Sequence, residues 1–136
     1  MTSLLWLLSF TFLYANTAPE TEGRVFHPEA IEYIKSIYQE SSFVGVVEIQ
    51  KYKLTQCQTT KNCQDTVYTA KVITSYKPYT SDIIEFHQVL DEDFYLLDSE
   101  KLLIFLDLEN NVYYLDSWSF FYPHIKYLEA LSSQER

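Results

Sequence analysis

Glycine is almost missing: Gly23 and Gly45 are the only two among 136 residues. Phosphate-cradling loops and dinucleotide fingerprints need several glycines at fixed spacing, so both are excluded. Cysteine is as sparse. Cys57 and Cys63 cannot complete a four-ligand zinc site by themselves, and the three histidines, His27, His87 and His124, are scattered. Basic residues are few, with 10 Lys and Arg against 19 Asp and Glu, for a net charge of -9. That balance argues against a nucleic-acid partner, whose phosphates demand a positive groove. No serine stands in a nucleophile elbow. No metal or cofactor motif remains, and no catalytic residue is assigned.

The chain is rich in apolar and aromatic side chains, at 47% and 17% of its residues. That content supplies a packed core and excludes intrinsic disorder, while the length suits one domain. Leu4 to Leu13 (LLWLLSFTFL) is an uncharged apolar run of ten residues. A membrane-spanning helix needs about 20 residues, so no stable span is expected. Followed by Ala15, Asn16, Thr17 and Ala18, the run has the form of a signal-peptide core, with cleavage after Ala15 or Ala18. Residues 1–18 are therefore expected to be a signal peptide and 19–27 (PETEGRVFH) a flexible leader. The remainder, 28–136, is a single domain, secreted or periplasmic.

Export determines how the thiols read. Cys57 and Cys63 flank a polar loop, CQTTKNC, and in an oxidising compartment such a pair is a disulfide. Closing that ring contributes roughly 2 kcal/mol on the chain-entropy model.

Pro28 opens a helical pattern in which Ile31, Ile34, Ile37 and Tyr38 recur at spacings of three and four, and the helix should run to Glu40. Strand patterns follow: Phe43 to Leu54, Asp65 to Lys77, Asp82 to Leu90, Lys101 to Asp107, and Val112 to Leu115 continuing towards Trp118 to Tyr122. The first two flank the cysteine loop and form a long hairpin. Gly45 marks a bulge or bend in the first. Lys101 to Asp107 is the most apolar and should be central. Glu109, Asn110 and Asn111 make a turn, and Pro123 opens a second helix faced by Ile125, Leu128 and Leu131. The expected class is α+β: a small five-stranded antiparallel barrel with an N-terminal and a C-terminal helix. Cystatin-like sheets share much of this order of elements.

Val44-Gly45-Val46-Val47-Glu48-Ile49, Ser75-Tyr76-Lys77-Pro78 and Glu100-Lys101-Leu102-Leu103-Ile104-Phe105-Leu106 match three short strand motifs of one family. Over residues 42–122 the chain resembles the netrin-like, or tissue-inhibitor-of-metalloproteinase-like, branch of the OB-fold. The resemblance implies an OB-like barrel over 28–136. Metalloproteinase inhibitors of that branch chelate the protease zinc through an N-terminal cysteine. None lies near residues 15–20 here, so the resemblance carries over no inhibitory mechanism.

Charge is segregated. From Asp82 to Asp116 ten carboxylates stand against Lys101 alone. Such a surface either keeps the protein soluble or steers a basic partner. A partner-binding surface is expected at Asp91, Glu92, Asp93, Asp98 and Glu100, with Tyr113, Tyr114 and Trp118 as aromatic anchors. Calcium binding is a third reading of the acidic cluster, although Asp91-Glu92-Asp93 lacks the spaced ligands and glycine of an EF-hand loop. His87 and Glu85, two apart on one strand face, read as a metal-binding or acid–base pair or as a plain exposed face. The expected function is a non-enzymatic protein-binding module of the inhibitor or immunity type. An envelope-associated accessory protein is the alternative, and a hydrolase built around His87 a third reading.

Overall fold

The computed structural model describes residues 26–57, 63–90, 96 and 100–134. Seven elements follow one another: α1 (Ala30–Glu40), β1 (Phe43–Gln56), β2 (Gln64–Ser75), β3 (Ile83–Leu90), β4 (Lys101–Glu109), β5 (Val112–Phe121) and α2 (Ile125–Gln134). The strands close a barrel in the order β1-β2-β3-β5-β4. All neighbouring strands are antiparallel except β3 and β5, which run parallel and meet at Phe86↔Tyr113 and His87↔Tyr114. The expected antiparallel barrel is thus a mixed one. Its odd strand number and crossover force one parallel junction, which the order of elements along the chain does not reveal. The architecture is α+β and compatible with an OB-like fold.

Alternation builds the interior. Val47, Ile49, Tyr68, Ala70, Ile84, Phe86, Ile104, Leu106 and Leu115 point inward and pack with Phe43 and Leu96. Buried polar groups serve this core, among them Tyr68, Gln88 and Thr66. Tyr68 donates its hydroxyl hydrogen to Gln88 Oε1 (3.0 Å) and accepts from the Leu96 N–H (2.9 Å). Burial raises the phenol's pKa, against the lowering effect of the Leu96 bond.

A second core lies outside the barrel wall. Val44, Val46, Leu103 and Phe105 face outward from β1 and β4 and are covered by Ile34 and Tyr38 of α1 and Tyr127 and Leu131 of α2. This explains the unbroken apolar run from Leu102 to Leu106, all buried: β4 has a core on each face. Phe26 stacks on His124 (4.8 Å between ring centroids), and the His27 N–H donates to the Tyr127 hydroxyl (2.9 Å). The last two residues of the expected leader therefore dock on α2.

Several local expectations become specific. The ladder shifts register at Val46/Val47 and Ile49/Lys51, not at Gly45. Gly45 answers a different need: a Cβ there would lie 2.5 Å from the Thr74 carbonyl oxygen and 2.8 Å from Phe43 Cζ. Asn110 and Asn111 take positive φ (52° and 66°), as a two-residue hairpin turn requires. Cys57 and Cys63 form a disulfide, with Cα atoms 5.2 Å apart, and the Cys57 N–H donates to the Cys63 carbonyl (3.1 Å). Among the described residues, no helix is long and apolar enough to cross a membrane.

Candidate functional site

In the order β1-β2-β3-β5-β4 the helices cover the β1–β4 side, and β3 lies across the barrel from it. Among the described residues neither helix covers the outer surface of β2, β3 and the first half of β5, whereas Phe121 at the end of β5 packs with the helix-covered core. On β3, Ile84, Phe86, Gln88 and Leu90 are buried while Ile83, Glu85, His87 and Val89 alternate outward. Their cross-strand partners on β2 are Lys71, Thr69, Val67 and Asp65. Tyr114 and Asp116 continue this surface on β5, because Tyr113 and Leu115 between them pack into the interior.

Three large aliphatic side chains on these strands are exposed: Ile73 (45%), Ile83 (42%) and Val89 (44%). Carboxylates stand among them at Asp65, Glu85 and Asp116, and among the described residues Lys71 is the only lysine or arginine on the wall. The wall is both apolar and acidic.

His87 sits at its centre. The imidazole Nδ1 lies 3.1 and 3.2 Å from the two oxygens of Asp65, one strand over. A carboxylate only accepts, so Nδ1 is the donor of this pair, and in the neutral imidazole Nε2 is the acceptor. The Tyr114 ring lies 5.5 Å from the imidazole at 45°. The sequence had placed His87 with Glu85; the bonded carboxylate is Asp65, supplied by the β2–β3 register across 22 residues of chain. An Asp–His pair is half of an acid–base device. Among the described residues it contacts no hydroxyl or thiol nucleophile, and no group of three metal-ligating side chains occurs.

Of the other expected site residues, the structure describes Glu100, Tyr113 and Tyr114. Asp91, Glu92, Asp93 and Asp98 lie outside the described residues, as does the Trp118 side chain. Glu100 is half-buried at the start of β4, where its carbonyl accepts from the Ile49 N–H (2.9 Å). Tyr113 and Tyr114 point to opposite sides of β5. Tyr113 joins Phe43 and Tyr79 at centroid distances of 6.4 and 6.3 Å, whereas Tyr114 belongs to the open wall. Asp65, Val89 and Ile83 were not singled out from the sequence. The usable signal was the strict alternation of Ile83 to Leu90, which leaves one strand face outside.

Two shallow depressions lie elsewhere. One, of about 440 Å³, is lined by Tyr38 and residues Ser75 to Tyr79. Here Lys77 donates to the Ser41 carbonyl, and its ammonium lies 4.6 Å from the Tyr38 ring centroid. Burial holds the Lys77 pKa below the usual lysine value. The lysine thereby caps the carboxyl end of α1. The other, of about 430 Å³, lies between Tyr76 and the Ile125–Ser133 side of α2.

The fold and wall together define a small closed barrel with one open, acidic and apolar face. No protein-family model matches the chain, and no curated protein is significantly similar to it.

Proposed function

We propose that this is an exported protein-binding module, of the inhibitor or immunity type, that engages a basic partner through the open wall of β2, β3 and β5. The observation that carries the reading is the pairing of exposed Ile73, Ile83 and Val89 with carboxylates on a wall the helices leave bare. Apolar area supplies affinity, and acidic charge raises the rate of encounter with a basic surface. The disulfide supports export, since such bonds persist in oxidising compartments. The barrel and the Val44–Ile49 motif support netrin-like architecture as a scaffold, without the inhibitory cysteine of that branch.

The test is affinity capture from the protein's own envelope and medium, with the disulfide intact, followed by mass spectrometry. The expected result is a stoichiometric basic partner that is lost with the Ile83→Ser, Val89→Ser double variant. Recovery of envelope components only, held equally by that variant, would instead make the protein an accessory of the envelope.

A further inference from the structure

We propose that Glu85, His87 and Tyr114 form a guanidinium subsite that receives an arginine side chain of the partner. The inference deepens the preceding reading and rests on the open wall being the partner surface.

Register brings the three groups together. His87 and Tyr114 are Cα partners across the parallel β3–β5 junction. Glu85 is two residues from His87 on the same face of β3, about 7 Å along the strand. The rings of His87 and Tyr114 are tilted by 45° rather than stacked, with centroids 5.5 Å apart. Asp65 accepts from Nδ1 and so orients the ring, and in the neutral imidazole Nε2 is left outward as an acceptor. Glu85 is exposed and has no ion-pair partner among the described residues. Val67, Ile83 and Val89 surround the cluster with apolar surface that sheds water on contact.

The donors this cluster lacks are those of a guanidinium. Its planar fork places two N–H groups on one carboxylate, here Glu85, with a further N–H available to the His87 Nε2. Its flat, weakly hydrated face stacks on an aromatic ring, here Tyr114. A lysine ammonium matches the charge but neither the fork nor the plane, and it holds its water more tightly. The subsite therefore favours arginine over lysine.

The experiment uses the full disulfide-intact protein and two probes, N-acetyl-arginine methylamide and N-acetyl-lysine methylamide, followed by NMR of the His87 and Tyr114 ring protons. Saturable shifts confined to these rings and their neighbours, several-fold tighter for the arginine compound, are expected. Glu85→Gln should weaken the arginine response several-fold, and Tyr114→Leu should erase the preference over lysine. Absence of a saturable response, an equal response to both probes, or indifference to Glu85→Gln would overturn the subsite. Its failure is distinguishable from failure of the wall. A captured partner that is lost with the Ile83/Val89 variant yet retained in full by Glu85→Gln would keep the wall and remove the guanidinium subsite.

Discussion

On β1 and β4 the outward side chains Val44, Val46, Leu103 and Phe105 lie under two helices, whereas on β3 the outward Ile83, Glu85 and Val89 face water. The inward faces of these strands share one core. Composition follows the covering. β4 reads as a continuous apolar run because it is buried twice, and β3 alternates because it is buried once. The exposed isoleucine and valine on β3 are surplus to the core, whereas the same residue types on β1 and β4 are needed for it. Stability should therefore be concentrated on one side of the barrel and recognition on the other.

The largest effect should come from the covered side. Gly45→Val places atoms against the Thr74 carbonyl, which is backbone and cannot turn away. Loss of cooperative folding in thermal denaturation is expected, beyond the ~3 kcal/mol that overpacking commonly costs. Next, Leu103→Ala should cost about 3 kcal/mol by denaturant titration, while Ile83→Ala on the open wall should stay under about 1 kcal/mol. Equal losses at the two positions would break the comparison. Tyr68→Phe removes the hydroxyl that donates to Gln88 and accepts from the buried Leu96 N–H. It should cost about 2 kcal/mol in the same assay.

The smallest effect concerns Asp107, whose carboxyl is pushed above the ordinary value of 3.8 by burial first, then by Asp116 and Glu40. A raised folded-state pKa means that the stability contributed by this group is present below 3.8 and lost as pH climbs through the raised value. At neutral pH the carboxylate is a mild liability. Asp107 is exposed, and after solvent screening Asp107→Asn should gain under ~0.5 kcal/mol. The gain should be visible as a slightly higher Tm at pH 7 and should vanish below the carboxylate range.

Much of this architecture was legible in the residues. Strand limits read from β-branched and aromatic runs fall within about two residues for β1 to β4, and Asn110-Asn111 announces its turn by residue type alone. These are local properties, set by neighbours a few positions away. The site was legible only in part, because it depends on register between strands. Which carboxylate meets His87 follows from how β2 and β3 align, and nothing in their separate patterns fixes that alignment. Tyr113 and Tyr114 show the same limit. They are adjacent in sequence and equally aromatic, yet one side chain serves the core and the other the wall. The helices hid the remaining information: without knowing which wall they cover, one cannot say which outward residues are left over.

The two helices also fix how the molecule can be held. Gln39 near the end of α1 and Gln134 at the end of α2 share a hydrogen bond of 3.1 Å, so both helix ends converge on one spot behind the barrel. A resin, a label or a fused protein attached beyond α2 would sit at the back of the molecule. β3 would then point away from the support, its wall presented to whatever flows past.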